Sequence, residues 1–251
     1  MELKTDGLIV RENNNVGEAD RFVLLLTRDV GLVRASARGA QKLKSRNAGV
    51  TRLLSYGRFT LHPGRNGGYI IGEVEPLHSF FDLNRDMERL SLAQYFCELC
   101  GILAPREEPA DAMLQLMLLG LHHLTGDVYP PLLVKCVTEQ RLLALGGYAP
   151  DLSGCGRCGK TDAPEFWLSP AEGTLFCASC AAGSDGLPLT PGMLAALRHI
   201  HSAPAERAFR FRLPEETLRA LSGVSERFLL HQLGRGFCTL DFYHSLRGFG
   251  L

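Results

Sequence analysis

Two cysteine pairs, Cys155-x-x-Cys158 and Cys177-x-x-Cys180, place the tightest constraint on what this chain can fold into. The segment between them is of the length expected for two zinc knuckles. Each pair sits among small residues, in CGRCG and CASC, where backbone amides can point at sulfur. Between the pairs, EFWLS and TLFC read as two strands joined by PAEG, the hairpin of a zinc ribbon. Four thiolates would complete a tetrahedral shell and leave no open position, so the expected metal is structural zinc. The alternative is a redox-sensitive remnant that has lost its metal. Zinc contributes about 10–16 kcal/mol to the folding of a small finger, far more than so thin a hairpin gains from its own core.

The remaining cysteines carry other expectations. Cys97-x-x-Cys100 in AQYFCELCGIL puts both side chains on one apolar helix face, which reads as core packing, and Cys136 and Cys238 read as isolated core residues. Eight cysteines with no signal sequence at the start, MELKTDGLIVRENNN, point to metal ligands or buried small residues rather than disulfides, and to a cytoplasmic location. The apolar run from Ala112 to Leu121 is too short to span a bilayer.

Ahead of the cysteines the pattern divides in two. The first 80 residues alternate as short strands, Asp6 to Glu12, Asp20 to Thr27, Gly31 to Ala37, Gly57 to His62 and Gly68 to Glu75, with RDVG closing a hairpin. Five strands suggest a small barrel. An OB-fold fits that count, and SH3-like barrels fit comparably, since periodicity alone does not separate them. After Phe80 the spacing turns helical: Asn84 to Leu103, Pro109 to Thr125 and Pro130 to Leu145, then, beyond the cysteines, Pro191 to His201 capped by Thr190, and Pro214 to Leu233. The expected class is therefore α+β, with a barrel over residues 1–80 and a helical domain over 81–251 that carries an inserted four-cysteine ribbon at about 151–188.

Net charge is zero, with 27 basic and 27 acidic residues, but the charges are segregated. Arg28, Arg34, Arg38, Lys42, Lys44, Arg46, Arg52, Arg58 and Arg65 face the single acid Asp29 in their own stretch of chain, whereas residues 81–155 carry an acidic excess. A polyanion should meet the N-terminal part. Much of the excess lies in the connection from Arg38 to Ser55, ARGAQKLKSRNAGVTRLLS, which lacks strand alternation. Arg34, Arg38, Lys42, Lys44, Arg46 and Arg52 are the candidate phosphate contacts. Phe59 and Tyr69 would either stack on bases or fill the barrel.

Catalytic signals are poor. HExxH, GxSxG and a paired-acid nuclease pattern are all missing from the sequence. His122-His123 reads as helix packing or a polar edge. GCGRCGKT, Gly154 to Thr161, fits the phosphate-loop pattern by letter. That pattern needs a buried strand before it and a helix after it, and here GGYAPDLS precedes and Pro164 follows.

Taken together, TDGLIVRENNNVGEADRFVLLLTRDVGLVRASARGAQKLKSR, YFCELCGIL, LLALGGYAPDLSGCGRCG and GTLFCASC make the chain resemble the bacterial RecO family over essentially its full length. The resemblance implies an N-terminal OB-fold, a helical domain and a zinc finger that some members lack, here with Cys155, Cys158, Cys177 and Cys180 as ligands. It also implies a non-enzymatic recombination mediator that binds single- and double-stranded DNA and promotes annealing. Such a mediator acts with RecR to help load RecA onto strands covered by single-strand-binding protein. Arg38, Lys42, Lys44 and Arg46 match the family's basic stretch. Two other classes fit the same parts list: a nucleic-acid-processing enzyme with a barrel and a ribbon, and a zinc-ribbon scaffold that only joins proteins.

Overall fold

The computed structural model describes residues 2–13, 20–42, 47–64, 67–181 and 185–248. Its chain forms two compact units, residues 1–125 with 237–251, and residues 126–236. The first unit therefore takes in helices as well as the barrel, although the sequence pattern changes from strand to helix at residue 80.

In the first unit, strands β1 (Leu3–Asn13), β2 (Arg21–Thr27), β3 (Gly31–Ala37), β4 (Ser55–Pro63) and β5 (Tyr69–Ser79) close in the order β1-β2-β3-β5-β4. Strand β5 runs parallel to β3, and β1 is shared between β2 and β4. This is an OB-fold barrel, which settles the choice left open by strand count. The alternation seen in the sequence is the reason it closes: Ile9, Val23, Leu25, Val33, Phe59 and Leu61 all point into one core. Gly7 pairs with strands on both sides, and a Cβ there would meet Leu26 O at 2.9 Å.

Helices α1 (Met87–Leu103), α2 (Asp111–Thr125) and α6 (Cys238–Leu246) complete this unit, with α1 packed on β1, α2 and α6. Helix α1 begins later than its apolar spacing suggests, because the Asp86 carboxylate accepts from Arg89 N at 3.1 Å and sets the cap there. Helix α6 was not expected from the sequence. Phe237, Leu240 and Tyr243 anchor it in the core, whereas Cys238, expected to be buried, is exposed.

The tip of the β2–β3 hairpin is locked to the α1–α2 loop. Leu32 N donates to Pro105 O (2.8 Å), Glu107 N to Val30 O (3.2 Å) and Ala110 N to Arg28 O (2.9 Å). Gly31 makes this approach possible, since its φ is +67° and an added Cβ would lie 2.3 Å from Pro105 O and 2.7 Å from Glu108 O.

The second unit holds α3 (Pro131–Leu145), α4 (Pro191–Ser202) and α5 (Glu215–Leu233). Between α3 and α4 lies a four-stranded sheet of β6 (Asp151–Cys155), β7 (Phe166–Leu168), β8 (Thr174–Cys177) and β9 (Leu187–Leu189), ordered β6-β8-β7-β9. The α3–α5 interface is polar inside. Lys135, fully buried, lies 2.8 Å from both Glu139 and Glu226, and Ser225 donates to Glu139 (3.2 Å) while accepting from Gln140 (2.9 Å). Burial alone would push the lysine toward neutrality, but the two carboxylates hold its pKa above the ordinary value. Among the described residues, no helix is long and apolar enough to cross a membrane.

The hairpin lock predicts that Gly31→Ala lowers the unfolding free energy of the protein by about 2–4 kcal/mol, from backbone strain plus overpacking. Gly67→Ala, with a similar φ but nothing within 4 Å, should cost about 1 kcal/mol. Urea titration of the two variants checks the contrast.

Candidate nucleic-acid interface and metal centre

Of the nine basic residues between Arg28 and Arg65, two find partners that the local sequence does not supply. Asp6, almost buried on β1, pairs with Arg28 at 3.2 Å and Arg58 at 2.9 Å. Arg28 also reaches Asp111 (3.1 Å) and Arg58 reaches Glu75 (3.7 Å). These two arginines are thus neutralised within the fold and leave the phosphate-binding set. Arg34, Arg38, Lys42 and Arg52 are exposed, and among the described residues no carboxylate pairs with them. Lys44, Arg46 and Arg65 lie outside the described residues.

The β3–β4 connection has no strand of its own, as its sequence suggests, but it is tied to the barrel at several points. Buried Arg21 donates to Ala48 O (2.7 Å) and Thr51 Oγ1 (3.0 Å), Asp20 accepts from Gly39 N (2.8 Å), and Asn47 donates to Gly72 O (3.1 Å). These bonds turn the connection's polar groups inward and leave Arg38, Lys42 and Arg52 facing solvent.

A groove of about 950 Å³ crosses the outer face of β2 and β3. Phe22, Leu24 and Arg34 form its floor, with Arg38 beside them. One wall is the β4–β5 turn, including Pro63, Gly68 and Tyr69, and the far end is closed by Arg106 and Glu107 of the α1–α2 loop. Gly68 lets that turn lie against β3, since a Cβ would sit 3.0 Å from Arg34 O. Phe59 is fully buried in the barrel, so the stacking role considered for it is excluded; Tyr69 is half-buried on the groove wall. Arg106 escaped the sequence reading because it lies in the acidic stretch and reaches the barrel only through the hairpin lock.

The second site is the cysteine cluster. The sulfurs of Cys155, Cys158, Cys177 and Cys180 all lie within 4.8 Å of one another, close enough to hold a metal ion. Strands β6 and β8 each end at a cysteine, and each knuckle then turns on itself: Gly159 N donates to Cys155 O (2.8 Å), and Cys180 N to Cys177 O (2.8 Å). The Arg157 guanidinium lies 4.9 Å from the centre of the Phe176 ring and donates to Cys180 O at 3.0 Å, bracing one knuckle against the other. Burial pushes the Cys155 thiol up, but the backbone amides of Cys177, Cys158 and Arg157 overcome it and bring its pKa down to about 6. Cys180, hydrogen-bonded to the Cys158 and Cys177 sulfurs and close to charged Cys155, is pushed up to about 12. Four thiolates this close need a cation among them.

The lookalike phosphate loop from Gly154 to Thr161 is part of this cluster. Strand β6 does precede it, which the sequence did not suggest, but a knuckle turn and then β7 follow in place of a helix. Cys97, Cys100 and Cys136 are buried, and burial alone pushes the Cys97 thiol up to about 12. His122 is exposed and His123 half-buried on α2, at a polar edge.

Two family descriptions match the chain: Recombination protein O N terminal over residues 1–80, and Recombination protein O C terminal over residues 84–241. The chain belongs to the RecO family. Proteins named DNA repair protein RecO resemble it along almost their whole length. That of Acetivibrio thermocellus is 33% identical over 245 residues, covering 97% of each chain. That of Symbiobacterium thermophilum is 32% identical over 248 residues, covering 96% of each. That of Heliobacterium modesticaldum is 35% identical over 230 residues, covering 89% of this chain and 83% of the relative. The spans of the two RecO descriptions meet where the pattern changes from strand to helix.

The cysteine geometry predicts one metal ion per chain in protein purified without chelator, measured by elemental analysis. Cys155→Ser should lose the ion and unfold the ribbon, whereas Cys97→Ser, whose thiol is remote from the cluster, should keep a full complement.

Proposed function

We propose that this chain is a DNA-binding recombination mediator in which the barrel engages DNA and the ribbon is a structural zinc module. Membership of the RecO family assigns the chain to DNA repair and recombination. Beyond that, we infer that it binds single- and double-stranded DNA, promotes annealing of complementary strands and works without catalysis in the cytoplasm. With RecR it would help load RecA onto strands covered by single-strand-binding protein.

The observation that carries this reading is the set of exposed, carboxylate-free cations on one barrel: Arg34, Arg38, Lys42 and Arg52. Such side chains displace condensed counterions from phosphate, which gives affinity without sequence preference. Annealing follows from the same charge, since neutralising two strands lowers their mutual repulsion. Lys44 and Arg46 belong to the same proposed surface by their place in the basic stretch.

For the metal, a tetrahedron with zinc–sulfur bonds of about 2.3 Å has edges of about 3.8 Å, and Cys158 Sγ lies 3.7 Å from Cys177 Sγ. An all-thiolate set also favours zinc over harder divalent ions. Zinc bound there would cross-link the two knuckles; four protein ligands leave it no position for substrate.

If four to six cations meet phosphate together, log affinity for single-stranded DNA should fall by about 3 to 4 per tenfold rise in salt. Changing Arg34, Arg38, Lys42 and Arg52 together to alanine should flatten that slope by about 2 to 3, weaken binding on every sequence and abolish annealing, with metal content unchanged. Fluorescence anisotropy over a salt series measures it, and an unchanged slope in the folded variant would remove the barrel from the account.

A further inference from the structure

The groove on the barrel holds a feature that phosphate binding leaves unexplained. Phe22 is 41% exposed at the centre of a β-strand, on the same outer face as half-buried Leu24 and opposite Ser36 of β3. A large aromatic left open to water inside a concave site gains nothing from the folded chain alone. Around it stand three cations, Arg34, Arg38 and Arg106, against one carboxylate, Glu107. Apolar floor and cationic rim together suit a polyanion that also exposes flat apolar faces. Single-stranded DNA is such a ligand. A duplex is not, because its bases are stacked on one another and only phosphates and groove edges face outward.

The end of the groove is also built in advance. Arg106 and Glu107 belong to the α1–α2 loop, yet the bonds from Leu32 N to Pro105 O and from Glu107 N to Val30 O fix them to the hairpin tip. Glu107 is held at φ 63°, one of two non-glycine residues at positive φ among those described. Backbone strain of this kind persists where surrounding contacts over-determine it, and it clusters at ligand sites. Arg106 is exposed and, among the described residues, forms no ion pair, so its charge is free to meet a ligand. Lys42 and Arg52 are also exposed but are not among the residues lining the groove.

The geometry points to two separable footprints on one barrel: the groove takes the unpaired bases of single-stranded DNA on Phe22 and Tyr69, with Arg34, Arg38 and Arg106 on the phosphates, while duplex DNA rests on cations outside it. This rests on the reading that the barrel binds DNA, and it adds which form of DNA the groove selects. It also adds Arg106, from a helical segment, to the binding residues.

The test uses the full chain, a labelled oligo-thymidine and a labelled hairpin duplex. Phe22→Ala should weaken the single strand by about fivefold or more, the loss of one stacked base, and leave the duplex within about twofold. Arg106→Ala should flatten the salt slope on the single strand by about 0.7, the loss of one phosphate contact, with no change on the duplex. In Phe22→Trp the new indole should be quenched by oligo-thymidine and not by duplex; Trp167, the only native tryptophan, gives the background in the parent chain. Phe22→Trp should also keep single-strand affinity, which shows that stacking and not mere bulk is required. The proposal is overturned if Phe22→Ala and Arg106→Ala weaken both substrates alike or neither. It is equally overturned if the indole is quenched by an acidic peptide but not by oligo-thymidine. Failure of the parent chain to bind either DNA would instead overturn the barrel reading beneath it, so the two failures are told apart.

Discussion

The close approach of backbone to backbone at Gly31 governs more of the first unit than any single side chain. A hairpin tip normally projects into solvent, where its polar groups meet water. Here the tip is stitched to the α1–α2 loop, and only a residue without Cβ fits between Pro105 O and Glu108 O. Arg28, at the same tip, spans from Asp6 on the barrel to Asp111 at the start of α2. Barrel and helices are thereby registered to each other by backbone bonds and a shared ion cluster. The end wall of the groove is a consequence of that registration.

Charge then sorts itself by burial. Asp6 is nearly buried and collects two arginines, so those cations serve the fold. The cations on the outer face of β3 and on the β3–β4 connection have no such partner and keep their charge for solvent or for a polyanion. The second unit follows the same rule in reverse: Lys135 and Glu139 are fully buried, and each is acceptable only because it is paired and hydrogen-bonded across α3 and α5. Replacing one member would strand the others, which makes the network a device for fixing how the helices meet more than a source of net stability. The ribbon between these helices has a small core, and its four sulfurs do for it what apolar packing does elsewhere.

The strands and the cysteine cluster were legible in the sequence because their signals are local. Alternation with period two is written residue by residue, and a C-x-x-C turn closes within four residues. Features set by tertiary contact were not legible in the same way. Helix α1 starts at Met87 because Asp86 caps it, although Leu83 continues the apolar spacing backward. Helix α6 is only nine residues long, yet Phe237, Leu240 and Tyr243 at helical spacing were a usable signal. Arg28 and Arg58 were counted as free because Asp6 and Asp111 are distant in sequence, and Phe59 differs from Tyr69 only in which side of the sheet it faces. Arg106 sat within an acidic stretch, and nothing short of the hairpin lock brings it to the barrel.

The account's central claim is that the barrel's outer face is the surface that meets DNA, and hydrogen–deuterium exchange of the full chain with and without saturating oligo-thymidine tests it most directly. Binding should slow exchange in β2, β3, the turn ahead of Tyr69 and the loop around Arg106, with the ribbon and helices of residues 126–236 unchanged. Protection confined to residues 126–236, with the barrel exchanging as freely as before, would contradict it.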